Sequence, residues 1–151
     1  MRDIVFEWYV PHILSRKQQL IKALITSAVI VFFIDAFFFA AIMLVPTVVL
    51  AVVGFFLFRS WKIEYEYEYV NGDLTVSKII HKEKRKELFR GTRSEIEEME
   101  RGRRTQVGRT VRDYTSNRAG APVLTLFARG ELLYVEPNER FEEEMKRYYR
   151  F

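Results

Sequence analysis

Apolar and polar positions fall into three unlike patterns along the chain. Positions 20–58 are almost continuously apolar, with Lys22 and Asp35 as the only charges. Positions 62–136 alternate over short stretches, and the last segment carries apolar residues at helical spacing. A membrane-spanning helix needs about 20 apolar residues at a rise of about 1.5 Å each. The first pattern is nearly twice that long, so it predicts two antiparallel helices and a tight turn. Pro46 suits the first turn of the second helix, where its missing N–H leaves no bond unmade. The expected hairpin has helices over 20–41 and 46–61, with the turn inside 40–46. The segment 1–19, broken by Pro11, is expected to lie as a loose turn on the membrane surface.

In KIEYEYEYV, residues Ile63, Tyr65, Tyr67 and Tyr69 share one face and Glu64, Glu66 and Glu68 the other, as in a half-buried strand. Asn71-Gly72 follows, a favoured pair for a type I′ hairpin, and Leu74, Val76 and Ile80 mark the partner strand. The basic stretch HKEKRK predicts a second turn, and a strand follows around 87–91. EIEEME contains helix formers, but its short length favours a strand or a single turn. Weak alternation through Val107 and Val111 marks another strand within 104–114, and TSNRAGAP is a loop. Two clearer strands, APVLTLFAR and ELLYVEP, are joined at Arg129-Gly130, and Pro137 ends the second. Asn138 caps a terminal helix over 138–150, with acids early and bases late, as the helix dipole prefers. Phe141, Met145 and Tyr148 form its apolar stripe. Residues 62–151 are thus expected to form an antiparallel sheet of about six or seven strands closed by one amphipathic helix.

Charge adds a direction to this picture. The formal net charge is +4, and its placement is uneven. Arg2, Arg16, Lys17 and Lys22 stand before or at the start of the apolar run, against Asp3 and Glu7; Arg59 and Lys62 stand at its end, and the apex has no base. The positive-inside rule then places both termini of a multi-pass plasma-membrane protein in the cytoplasm. Trp61, and Trp8 with Tyr9, are expected as interfacial anchors. The chain has no cysteine, which excludes disulfides, thiolate metal sites and cysteine nucleophiles. The run begins too far in and is too long for the core of a cleaved signal, so it is expected to be retained.

Asp35 interrupts VIVFFIDAFFFAAIML, and an ionised carboxylate deep in hydrocarbon is expensive. Lying one to three turns below the apex, it has three readings. It is a polar residue tolerated near the tip, meeting water, Thr47 of the facing helix or a proton; or a contact between protomers; or an ion-transport site. The first is the plainest, since the run holds no basic partner at that depth.

The stretch IEYEYEYVNGDLTVSKIIHKEKRKEL resembles the opening of bacterial pleckstrin-homology-like (PH-like) domains. LLYVEPNERFEEEMKRYY resembles the strand and capped helix that close them. Together with the hairpin, the layout is similar to a family of small, uncharacterised bacterial membrane proteins, over about residues 16–151. The resemblance implies a PH-like β barrel or sandwich on the cytoplasmic face and implies no activity.

His81, Lys82, Lys84, Arg85 and Lys86 form one basic cluster; Arg101, Arg103, Arg104, Arg109 and Arg112 form another. Beside an anionic leaflet each exposed base gains about 1 kcal/mol. This makes Lys82, Lys84, Arg85, Arg103 and Arg104 candidate lipid-surface contacts, against the plainer reading of a solvated turn. Aromatics do not interleave with these bases, so nucleic acid is not expected. The tyrosine face is expected in the core, and the glutamate ladder paired across strands. His12 and His81 lack companions at ligand spacing, so neither metal nor cofactor is expected. Gly54 has Leu50 and Phe58 four positions away, so no small-residue dimer seam is expected. No nucleophile–base pair is evident. The expectation is an α+β membrane protein: a transmembrane helical hairpin carrying a small antiparallel PH-like barrel or sandwich. Its role is that of a non-enzymatic scaffold at the bilayer, binding anionic headgroups and an unidentified protein partner or its own copies. The rival is a subunit of a transport or envelope-remodelling assembly in which Asp35 functions.

Overall fold

A computed structural model describes residues 3–151; Arg2, one of the bases placed before the hairpin, lies outside the described residues. The chain divides into two compact units, residues 14–62 and residues 1–13 with 63–151. The first is helical. The second is a β unit whose opening strand precedes the helices in sequence.

In the helical unit, α1 spans Arg16–Phe38 and α2 spans Leu44–Ser60, with a 3-10 turn at Ala41–Met43 between them. The first helix starts before position 20 because Ser15 caps it. The Ser15 hydroxyl accepts from the Gln18 N–H at 3.2 Å, and the Gln18 side chain accepts from the Ser15 N–H at 2.9 Å. This reciprocal box holds the polar turn Arg16-Lys17-Gln18-Gln19 in helix. Pro46 sits in the first turn of α2, as expected. Both helices, the second counted with its preceding turn, are long and apolar enough to cross a membrane. At about 1.5 Å per residue, the 23 residues of α1 extend about 34 Å, close to a hydrocarbon thickness of about 30 Å. The less exposed positions recur at intervals of three and four: Ile21, Ile25, Ala28, Phe32 and Asp35 on α1, and Thr47, Leu50, Gly54 and Leu57 on α2. That spacing is the seam of two packed antiparallel helices. A Cβ at Gly54 would lie 2.9 Å from Ile25 Cγ2, so the glycine lets the two helices approach.

In the β unit, β1 (Val5–Pro11), β2 (Ile63–Val70), β3 (Asp73–Ile80) and β4 (Lys84–Thr92) form one antiparallel sheet in that order. The second sheet has the order β5-β7-β8-β6, from β5 (Ile96–Arg101), β6 (Val111–Asp113), β7 (Leu124–Ala128) and β8 (Glu131–Val135). Among the described residues only the β6–β8 pairing is parallel. Tyr67, Tyr69, Leu74 and Val76 from the first sheet and Met99, Leu124, Leu126 and Leu133 from the second share one core, with Phe141 and Met145 of α3 (Glu139–Met145). The arrangement is two sheets with a covering helix, not a closed barrel.

Several expectations are corrected. The described part of the segment 1–19, residues 3–19, is not a loose interfacial turn: Val5–Pro11 pairs with β2 from Val5↔Val70 to Pro11↔Glu64. Its period-two set Phe6, Trp8 and Val10 faces the tyrosine stripe, and burying both sets together is the reason it forms a strand. The β unit therefore does not begin at 62; the helices are an insertion in the β1–β2 connection. The second hairpin turn is narrower than HKEKRK, because His81 and Lys82 take φ of 60° and 57° and the strand resumes at Lys84. Residues 104–110 are loop, with Val107 fully exposed, so only Val111–Asp113 of that stretch pairs. The terminal helix ends at Met145 rather than 150. Phe141 and Met145 are buried as the stripe requires, but Tyr148 lies beyond the helix, half-exposed under the Arg93 guanidinium at 3.7 Å.

Candidate functional site

The end of the β unit from which the chain passes to the helices is closely tied. The His12 N–H donates to the Ile63 carbonyl at 2.9 Å, and the Ile13 N–H donates to the Ser116 carbonyl at 2.8 Å. Ile63 also pairs with Ile80, which places the β3–β4 turn at this same end. The next rows of the sheet set Lys84 opposite Ile80 and Lys86 opposite Lys78. Lys82, Lys84 and Lys86 are exposed, and Lys78, Ile79 and Ile80 are half-exposed. Lys78, Lys82, Lys84 and Lys86 make no ion pair among the described residues.

The other candidate lipid contacts are engaged within the unit. Arg85 pairs with Glu66 at 2.8 Å and Glu68 at 3.6 Å. It crosses β3 where the residue opposite Glu66 is the short Ser77. Of the glutamate ladder, Glu66 and Glu68 are thus partnered, from two strands away rather than from the neighbouring strand, and Glu66 is only 5% exposed. Tyr9 closes the network from β1, donating to Glu7 and, at 3.2 Å, to Glu66. The Glu7 hydrogen bond, helped by partial desolvation, pushes the Tyr9 hydroxyl up to about 12. Arg103 pairs with Asp113 and donates to the Thr115 hydroxyl at 2.9 Å, and Arg104 pairs with Glu100 at 2.8 Å. Burial works against ionising Asp113, but the Thr115 hydroxyl and amide and the Arg103 guanidinium outweigh it and hold the carboxyl below its usual range. Arg101, Arg109 and Arg112 pair with Glu142, Glu97 and Glu131. The two basic clusters therefore differ in kind: the arginines are spent on internal carboxylates and the lysines are not.

Sequence reasoning missed the aromatic network under β1. The Trp8 ring stacks on Tyr67 at 5.0 Å, and its indole N–H donates to the Glu136 carbonyl at 2.9 Å. Trp8 is thus a core residue and not an interfacial anchor. The Tyr67 hydroxyl donates to the Tyr114 carbonyl and accepts from the Glu136 N–H at 3.3 Å. The nearly buried Glu136 carboxylate accepts from the Ser116 N–H at 2.9 Å. His12 sits at the strand end, its Nδ1 3.3 Å from the Thr115 carbonyl oxygen. The available signal was the alternation Phe6, Trp8, Val10, which the break at Pro11 overshadowed.

Asp35 lies in the last turn of α1, half-buried on the inter-helix seam. Its backbone carbonyl accepts from the Phe39 and Ala40 N–H groups at 2.9 and 3.2 Å. The expected bond from Thr47 is absent, because that hydroxyl donates to the Met43 carbonyl of its own helix at 2.7 Å. Trp61 follows α2 directly and tilts against Phe58 at 5.8 Å, while the Lys22 ammonium stands 5.6 Å from the same Phe58 ring.

The family described as a bacterial PH-like domain (DUF6106) matches residues 2–150, so its pattern runs through the inserted helices as well as both parts of the β unit. No curated protein and no solved structure matches the chain.

Proposed function

The chain belongs to this bacterial PH-like domain family, and on that footing we propose that it is a membrane-anchored, non-enzymatic scaffold. The observation that carries the proposal is the insertion of two apolar helices between paired strands. Strands β1 and β2 run together as far as Pro11↔Glu64. Both ends of the helical segment must then leave from one side of a bilayer, which a double crossing satisfies and a single crossing does not. The bases beside those ends, Arg16, Lys17 and Lys62, favour the cytoplasm for that side. The hairpin fixes location in the plasma membrane, and the β unit offers a surface for a protein partner, a sheet edge being one means of docking.

Because the chain has no cysteine, single cysteines can report the topology. A membrane-impermeant thiol reagent applied to intact cells should label Ile42→Cys, at the exposed apex, and spare Asp73→Cys in the β unit. Labelling of Asp73→Cys with protection of Ile42→Cys would overturn the orientation.

The alternative, a subunit of a transport or envelope-remodelling assembly, is favoured by one observation. Asp35 is a half-buried acid on a seam with no side-chain partner among the described residues, and an intramembrane acid commonly serves function.

A further inference from the structure

Resting on the anchored reading, we infer that the β3–β4 tip is the contact of the β unit with an anionic lipid surface. The contact is made by lysine charge and flanking isoleucines. Three features point there together. First, Lys78 and Lys86 stand directly opposite one another on neighbouring strands, with no carboxylate between them. Like charges so placed are destabilising, and an external negative surface offsets that repulsion. Second, each arginine from Arg101 to Arg129 pairs with an acid inside the unit. The lysines of the tip stand apart from that scheme. Lysine is a point charge on a flexible stem, suited to a diffuse anionic layer, whereas a site for one bound phosphate is more often built around the fixed fork of arginine. Third, Ile63 and Ile80 share a face with Lys84, and Ile79 is half-exposed beside Arg85. A tip of aliphatic side chains ringed by ammonium groups is the composition of an interfacial contact.

Location supplies the occupant. The tip shares the end of the sheet at which the chain departs toward α1 and returns from α2. A leaflet crossed by those helices is the nearest extended anionic surface available to it. Of the residues first singled out, Lys82 and Lys84 keep the role, Lys78 and Lys86 join them, and Arg85, Arg103 and Arg104 leave it.

Amide hydrogen exchange on the full chain in vesicles tests this. Vesicles of phosphatidylcholine alone are compared with vesicles in which roughly one third of the lipid is phosphatidylglycerol. Exchange across residues 79–86 should slow by about fivefold or more in the anionic vesicles, and the slowing should fade as salt is raised. The variant with Lys82→Gln, Lys84→Gln and Lys86→Gln should lose the slowing; that with Arg103→Gln and Arg104→Gln should keep it. Inorganic phosphate added to phosphatidylcholine vesicles should leave exchange unchanged. Equal exchange in both lipids, or slowing that survives in the triple lysine variant, overturns the inference. Slowing by phosphate alone overturns it in favour of a soluble anion. The anchored reading is judged separately: it fails if the protein does not float with phosphatidylcholine vesicles after carbonate washing.

Discussion

The Trp8 ring lies on the Tyr67 ring at 5.0 Å between centroids, with the planes 7° apart. The two residues face each other across β1 and β2, the strands that flank the inserted helices. Offset-stacked aromatic pairs add about 0.5–1.5 kcal/mol beyond the area they bury. This pair also leads into the Glu136 carbonyl and the Tyr67–Tyr114 bond. Trp8→Ala should therefore destabilise the β unit by about 3–5 kcal/mol, read as a lower urea midpoint by near-ultraviolet circular dichroism in lipid nanodiscs. Retention in the membrane should be unaffected, since the helices hold no part of this stack.

Gly54 sets how closely α1 and α2 approach. Gly54→Leu should force the helices apart at Ile25 and cost about 1–3 kcal/mol through overpacking. Spin labels on the exposed positions Leu24 and Phe55 would then show a longer or broader distance. Pairing Gly54→Ala with Ile25→Ala should recover the parent distance, because the 2.9 Å approach is to the Ile25 side chain.

If Asp35 is a tolerated polar residue, Asp35→Asn should leave abundance in the membrane and the oligomeric state in nanodiscs unchanged. The seam position admits an amide of the same shape. A lost assembly on native mass analysis would move the balance to the transport-assembly reading.

The Asp113 carboxyl is held below its ordinary value in the folded chain. A depressed carboxyl contributes stability that is present above its unfolded pKa and is lost as pH falls through the folded one. Acidification below the usual carboxylate range should lower the unfolding midpoint of the β unit, and Asp113→Asn should flatten that acid limb while lowering the midpoint at neutral pH. An unchanged acid limb in the variant would assign the effect to other carboxylates such as Glu95, which the Thr92 amide and Arg129 also hold low.

The parts legible in the sequence were those fixed by local periodicity. The tyrosine strand, the Asn71-Gly72 turn and the partner strand need only neighbours in sequence, and they fall as expected at Ile63–Val70 and Asp73–Ile80. The Asn138 cap is equally local: its side chain accepts from the Phe141 N–H at 2.8 Å. What escaped depends on distant partners. Val5–Pro11 is only seven residues long and is broken off by proline, and its partner lies beyond the helices; the short alternation Phe6, Trp8, Val10 is its one local mark. The carboxylate partner of Arg103 was likewise hidden, since Asp113 is reached through a loop, whereas Glu100 is only four positions from Arg104. Lys84 and Lys86 lie in a strand and not in a turn because their pairing to Ile80 and Lys78 outweighs a polar composition.

The place of the helices within the sheet has a consequence for biogenesis. The ribosome releases Val5–Pro11 first, then both apolar helices, and only afterwards Ile63–Val70. If the two helices cross a bilayer as proposed, the first strand has no mate until the second crossing has come back to the side of synthesis. Should that return fail, Phe6, Trp8 and Val10 stay uncovered on one side of the bilayer and the tyrosines they match are stranded on the other. On that proposal sheet closure would act as a quality check on insertion, and a chain that failed it would expose an oily strand to the proteases that clear unfinished membrane proteins.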